Sequence, residues 1–397
     1  MTAITCVDDL RRLAARRVPR MFFDYVDGGS WTEQTLRENR QDFGLLHLRQ
    51  RVAIDVSHRT TVSTMLGQPV AMPVAIAPTG LTGMVHADGE ILAARAAQKF
   101  GVPYTLSTVA ICGLEDLADN VEQPFWFQLY VMRDRQFVND LLDRAAAVEC
   151  SALVLTLDLP LSGHRHKDAR NGLTSPPRPT VRNLAGMLTK PRWCAQMLLT
   201  RRRRFGTLVG HVDGLDDLDG LARWTDSQFD PSMDWSGVRF IRERWKGKLI
   251  VKGILDNADA ERAVECGADA IVVSNHGGRQ LDGAISSISA LPEVVAAVGD
   301  RVEVQFDGGI QSGQDVFKAI ALGAKGTYVG RSMLYGLGAL GERGVARVLE
   351  IIGNDLDKTM GLCGVNSVDA IGPDSLIFGN PLSRMRPKPT ASPVVTK

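Results

Sequence analysis

Apolar residues in this chain fall into two alternating kinds of segment. One kind repeats apolar positions three and four apart and then breaks at glycine, as in "GEILAARAAQKFG" ending at Gly101, "ADAERAVECG" ending at Gly267 and "GQDVFKAIALG" ending at Gly323. This is an amphipathic helix closed by a left-handed residue, a conformation glycine adopts without steric cost. Ser312 stands where the third of these helices needs an N-cap. The other kind is short and apolar throughout, the pattern of parallel strands covered on both faces.

Eight such strands are expected, starting at Val74, Tyr104, Phe125, Ala152, Leu249, Ala270, Val302 and Gly326. Six of the seven intervals between starts are 20 to 35 residues, one strand and one helix each, and the fourth-to-fifth interval is 97. Strands and helices in this alternation predict an α/β fold, a (β/α)8 TIM barrel. The rival, an open doubly wound sheet for a dinucleotide, calls for G-x-G-x-x-G after its first strand, and that motif is absent. The expected organisation is one domain over residues 1–379, with an N-terminal cap (1–70) and an insertion or lid after strand four (172–232). A loose proline-rich tail follows (380–397).

Composition narrows the class. The chain has 397 residues, 44% hydrophobic and 23% charged, with a formal net charge of +1. No global field favours nucleic acid. Its six cysteines are too scattered for a zinc site or redox pair and suit a reducing compartment. The N-terminus lacks the apolar run of a secretory signal, and no apolar stretch is long enough to span a bilayer. A cytoplasmic protein is expected.

Polar residues gather where the expected strands end. Pro78, Thr79 and Gly80 follow the first and Ser107 the second; Gln128 and Tyr130 belong to the third. Thr156 and Asp158 belong to the fourth, with Arg165 in the loop beyond; Lys252 ends the fifth. His276 and Arg279 follow the sixth, Asp307, Gly308 and Gly309 the seventh, and Gly330 and Arg331 the eighth. Each alone reads as a turn or a solvated charge. Together they describe a pocket at the C-terminal end of the barrel, where such folds carry chemistry. The glycines of strands seven and eight suit a phosphate held on backbone N–H groups. The His164-x-His166 pair is read as two loop histidines and not as a metal site.

Several stretches together resemble the FMN-dependent 2-hydroxy-acid dehydrogenase and oxidase family. They are "SNHGGRQLDG" (274–283), "FQLYVMRDR" (127–135), "TLDLP" (156–160), "LIVKGIL" (249–255) and "VGR" (329–331). Within it, "YVDGGS" (25–30), "LRQR" (48–51) and "FDPSMDW" (229–235) are most similar to the respiratory L-lactate dehydrogenases, with mandelate dehydrogenases next. The resemblance implies FMN as cofactor and oxidation of an L-2-hydroxy acid, L-lactate to pyruvate foremost. It implies a quinone or other respiratory acceptor and a homo-oligomer, a tetramer. His276 would be the base, paired with Asp158. Arg279, Arg165 and Tyr25 would hold the substrate carboxylate, and Tyr130 would touch the hydroxyl or oxo oxygen. Pro78, Thr79, Gly80, Ser107, Gln128, Thr156 and Lys252 would contact the flavin and ribityl chain. Asp307, Gly308, Gly309, Gly330 and Arg331 would hold the ribityl and phosphate end. Gln311 stands where many relatives have a phosphate-binding arginine, which shifts the expected load to Arg331. The competing readings are a mandelate dehydrogenase, an oxygen-using oxidase, and a barrel that binds FMN or another phosphate ligand without this chemistry.

The residue types suit that reaction. A bidentate guanidinium orients a carboxylate as well as attracting it, and an imidazole accepts a proton near neutral pH. A lysine ~4 Å from the reduced flavin, at an effective dielectric of ~20, would stabilise its negative charge by about 4 kcal/mol.

The insertion adds a surface expectation. From Arg178 to Arg204 there are eight Lys or Arg and no Asp or Glu, with Trp193, Met197 and Leu198 just before four arginines. An apolar patch beside a basic run suits an anionic membrane, the segment 178–205 docking the protein to the inner face of the cell membrane. A solvated loop and a nucleic-acid patch are the rivals.

Overall fold

The computed structural model describes residues 3–173, 180–202, 205–207 and 229–378. Eight parallel strands form its centre: β1 (Val74–Ile76), β2 (Thr105–Ser107), β3 (Trp126–Leu129), β4 (Ala152–Thr156), β5 (Lys248–Ile254), β6 (Ala270–Val273), β7 (Glu303–Asp307) and β8 (Gly326–Val329). Neighbours run β1-β8-β7-β6-β5-β4-β3-β2. A parallel bridge between Ile76 and Tyr104 brings β1 back to the start of β2 and closes the ring. The expected (β/α)8 barrel is the fold found, each strand within a residue or two of its expected start.

The apolar strands are buried on both faces. Ala152 and Val154 of β4, Ile250 of β5, Ala270 and Val272 of β6 and Tyr328 of β8 fill the barrel. Their neighbours Leu153, Leu155, Leu249, Val251, Ile271 and Val273 pack outward with the helices. Two-sided burial leaves no polar alternation for the sequence to display. Ser312 does cap its helix (Gly313–Ala321), its hydroxyl accepting from Asp315 N.

The N-terminal 70 residues serve both ends of the barrel. Helices Arg20–Asp27 and Gln34–Gln41 reach the C-terminal mouth, where Tyr25, Val26, Leu36, Asn39 and Arg40 line the central cavity. The hairpin Ser63–Met65/Gln68–Val70 instead puts Met65 and Val70 into the barrel's inner core. The strand Leu46–Leu48 pairs antiparallel with Leu376–Phe378. The expected tail, 380–397, lies outside the described residues.

Part of the insertion is described. Helices Val181–Leu188 and Pro191–Leu199 stand above the mouth and expose Val181, Leu184, Leu188, Leu198 and Leu199. Arg203 and Arg204 lie outside the described residues. Arg202 departs from the unopposed basic run expected. Its Nε is 2.7 Å from Asp116 and its Nη1 3.2 Å from Asp88, carboxylates distant in sequence that neutralise it. Among the described residues no helix is long and apolar enough to cross a membrane.

Candidate active site

A cavity of about 920 Å³ opens at the C-terminal ends of the strands. Of the expected site residues, all but Ser107, Gln128 and Asp158 line it. Those three stand close behind, joined to lining residues or to one another.

His276 follows β6 after Ser274 and Asn275, and its backbone is left-handed at φ 57°, unusual for a residue with a side chain. Ser274 Oγ accepts from His276 N at 3.0 Å, and Asn275 Oδ1 from Gly278 N at 3.0 Å, which fixes the turn. The imidazole Nδ1 lies 2.9 Å from Asp158 Oδ1, so against an ionised carboxylate it is the donor. Burial alone would raise the Asp158 pKa. The adjacent imidazole, and then Lys252, outweigh burial and hold it below the usual carboxylate range. Gly253 lets the carboxylate sit there: at φ +104°, a Cβ on it would lie 2.7 Å from Asp158 Cβ.

Two arginines converge on one tyrosine. The Arg279 guanidinium lies 4.5 Å from the centre of the Tyr25 ring and the Arg165 guanidinium 5.5 Å from it. Arg279 Nη1 donates to Tyr25 O at 2.6 Å, and Arg165 is 3.2 Å from Asp168. Burial, then the charge of Arg165, brings the Arg279 pKa down to about 10. Such a pair gains from a ligand that brings negative charge. Tyr130 is buried beside them, edge-on to Phe229 at 5.6 Å. Burial and the negative charge of Asp158 push its phenol well up, so it stays a neutral hydrogen-bonding group.

Lys252 is buried, 2.8 Å from Asp307 Oδ2 and 2.8 Å from Ser274 Oγ. Burial opposes its charge, while Asp307 and Asp158 raise its pKa and keep it cationic. The 4 kcal/mol expected of an unopposed lysine is therefore an upper value here.

The surroundings fit a flavin. Gln128 accepts from Ser107 Oγ at 3.0 Å and leaves its Nε2 buried without a partner; Thr156 Oγ1 is likewise buried and unpaired. Buried polar atoms in this state call for a ligand with matching groups. Thr156 and Lys252, paired on adjacent strands, line one stretch of wall. Gly308, Gly309 and Gly330 line another, with Thr79 beside Gly330, next to the N-terminus of helix Arg331–Leu340. Backbone N–H groups and a helix N-terminus suit a phosphate. Arg331 lines this end, but its Nε and Nη2 donate to Val26 O and Gly28 O. Arg40, which the sequence reading left out, lines the same end beside Gln311 and pairs with Asp315 at 2.8 Å.

Other contributors were not legible either. Asn39 and Asn275 exchange amide hydrogen bonds of 2.8 and 2.9 Å, tying the N-terminal segment to the His276 turn. Glu90, fully buried, accepts from Gly83 N and Ile111 N, both at 3.0 Å, and pins the loops after β1 and β2. His164 and His166 stack edge to face at 4.7 Å, and no cluster of three metal-ligating side chains exists among the described residues.

Comparison with known proteins agrees with this chemistry. The family model described as FMN-dependent dehydrogenase matches residues 14–378. The L-lactate dehydrogenase of Caulobacter sp. (strain K31) is 46% identical over 372 residues, 93% of this chain and 97% of that protein. The L-lactate dehydrogenase of Pseudomonas syringae pv. syringae (strain B728a) is 44% identical over 375 residues, 94% of this chain and 98% of that one. Among solved structures, a monotopic membrane protein, (S)-mandelate dehydrogenase, superposes with a TM-score of 0.91 at 35% identity, covering 95% of this chain and all of that one. A mandelate oxidase gives 0.81 at 37%, covering 95% and 99%.

Proposed function

Because the chain belongs to the FMN-dependent dehydrogenase family, we propose that it oxidises L-lactate to pyruvate and passes the electrons to a quinone or other respiratory acceptor at a membrane surface. It is an FMN-dependent enzyme acting on L-2-hydroxy acids. The bound FMN supplies the two-electron oxidant.

In this reading Arg279 and Arg165 clamp the substrate carboxylate, with Tyr25 between them, and so fix the orientation of the reacting CHOH group. Tyr130 hydrogen-bonds its oxygen. His276 takes a proton from that group, and Asp158 holds the imidazole and stabilises the imidazolium. Pro78, Thr79, Gly80, Ser107, Gln128, Thr156 and Lys252 hold the isoalloxazine and ribityl parts. Asp307, Gly308, Gly309, Gly330 and Arg331 hold the remainder.

The observation that carries the reading is the His276–Asp158 pair and the two-arginine trap in one cavity with the unpaired Gln128 and Thr156 groups. Lactate is preferred on the relatives named L-lactate dehydrogenase. The mandelate reading draws on the solved neighbours and on the cavity's apolar breadth.

Membrane docking is supported by the exposed apolar faces of Val181–Leu188 and Pro191–Leu199, flanked by Arg192 and Arg201. The mandelate dehydrogenase neighbour is itself described as monotopic. The tetramer implied by the resemblance completes the proposal. The test is anaerobic flavin bleaching with L-lactate, (S)-mandelate and glycolate. Reoxidation is then compared between oxygen and a short-chain quinone. Bleaching fastest with L-lactate and reoxidation by quinone are expected; no bleaching by any hydroxy acid sinks the proposal.

A further inference from the structure

The cavity has two characters. Its floor carries the strand-end residues described above. Its roof is apolar, built from Phe22, Met84, Met187, Trp193, Met197 and Phe205. Lactate offers a single methyl group and has no use for this roof. The cavity of about 920 Å³ also has to hold FMN, so it is the roof's apolar lining, and not the volume, that points to a further ligand.

The roof is built in advance of any ligand. Trp193 stacks on Phe22 at 5.4 Å with 29° between the rings, and its indole N–H donates to Met84 O at 2.9 Å. Three methionines beside a fixed indole make an adaptable apolar surface around a rigid plate. The helices that supply Met187, Trp193 and Met197 also carry the exposed apolar exterior: Leu188 is 78% and Leu199 83% exposed. Inner and outer apolar faces thus belong to the same two short helices. A lipid-soluble molecule entering along these helices would meet apolar side chains at both faces.

We propose that this vestibule is the electron-acceptor site and takes the ring and first isoprene unit of a membrane quinone. The inference rests on the respiratory-acceptor reading above. The balance is simple. The hydroxy acid loses two electrons and two protons in becoming the oxo acid. The quinone gains two electrons and two protons and leaves as quinol.

The test uses full-length holoenzyme with Met197→Trp, which fills the vestibule, and Met187→Gln, which makes it polar. Lactate-driven flavin reduction and ferricyanide turnover serve as controls for folding and for the floor. Ubiquinone-1 turnover reads the vestibule, and calorimetric titration of the oxidised enzyme with ubiquinone-1 reads binding without turnover. We expect the KM for ubiquinone-1 and its dissociation constant to rise by about tenfold or more in both variants, as for other misfits in apolar pockets. The controls should stay within about twofold of wild type. Unchanged ubiquinone-1 binding and turnover in both variants would overturn the vestibule while leaving the acceptor reading intact. Failure of wild-type enzyme, bleached by lactate, to reduce ubiquinone-1 would remove the quinone from the acceptor reading and this proposal with it. A change in the KM for (S)-mandelate with ubiquinone-1 unaffected would assign the roof to a substrate side chain and overturn the proposal.

Discussion

Lys252 and Asp307 face each other at 2.8 Å inside the barrel mouth, with Ser274 Oγ within 2.8 Å of both. In the proposed site the lysine's charge would be shared between this carboxylate and the negative charge that develops on the cofactor. Replacements on the two sides should act in opposite directions. Lys252→Met should lower the midpoint potential of bound flavin and Asp307→Asn should raise it, each by about 30 mV or more, which is ~1.4 kcal/mol for a two-electron couple. Shifts of the same sign in redox titrations would mean that the pair is structural only.

The base is tested by His276→Gln. Rapid-mixing measurements of anaerobic flavin reduction should fall by about a thousandfold, within the range for removal of a general base, while the flavin spectrum stays. Asp158→Asn should cost less, because the imidazole remains and only its orientation and charge partner are lost. Near-normal reduction in His276→Gln excludes the assignment.

Arg279→Lys should raise the KM for lactate and lower kcat together, since a point charge cannot reproduce the planar fork or its stacking on Tyr25. Arg279→Met should be worse on both. Unaltered steady-state kinetics in the lysine variant would leave the carboxylate to Arg165 alone.

Burial raises the Glu90 pKa above its ordinary value. The folded protein therefore binds a proton at this site that the unfolded chain releases near pH ~4.3, so stability falls as pH climbs through that value toward the raised one. Glu90→Gln keeps an oxygen for Gly83 N and Ile111 N and has no proton to lose. Urea unfolding from pH 4.5 to 8 should show the variant gaining on wild type as pH rises. A constant difference would mean that Glu90 ionises at its usual pH.

Arg192 and Arg201 are exposed, whereas Arg202 is paired with Asp88 and Asp116 and lines the cavity. Arg192→Ser with Arg201→Ser should weaken sedimentation with anionic vesicles by roughly thirtyfold, from ~1 kcal/mol per basic residue, and spare dye-linked turnover. Arg202→Ser should impair turnover with little effect on sedimentation. Equal vesicle binding by wild type and the double variant would make the run a solvated loop.

The barrel was readable because the strands are buried on both faces and several of the helices end at a left-handed glycine, Gly101, Gly267 and Gly323 among them. Most of the mouth was readable because polar residues such as His276 and Arg279 interrupt an apolar rhythm. What escaped depends on contacts across the chain. Nothing near Arg202 announces Asp88 and Asp116, so a neutralised arginine looked like a free one. Glu90 sits inside an ordinary amphipathic helix, and only the fold reveals two loop amides above it. The left-handed backbone of His276 is equally invisible in a histidine followed by two glycines. Lys252 showed its position but not its carboxylate partner.

The hairpin that carries Met65 and Val70 stoppers the barrel at its far end. The molecule therefore works as a vessel with its opening on the side of the insertion helices. If the oxidant enters by that opening, as proposed, it shares a threshold with fuel and spent product. Such traffic favours a turnstile rhythm in which the oxo acid departs before the oxidant is served. Double-reciprocal plots against lactate at several quinone concentrations should then run parallel, and added pyruvate should compete with the quinone for the reduced enzyme.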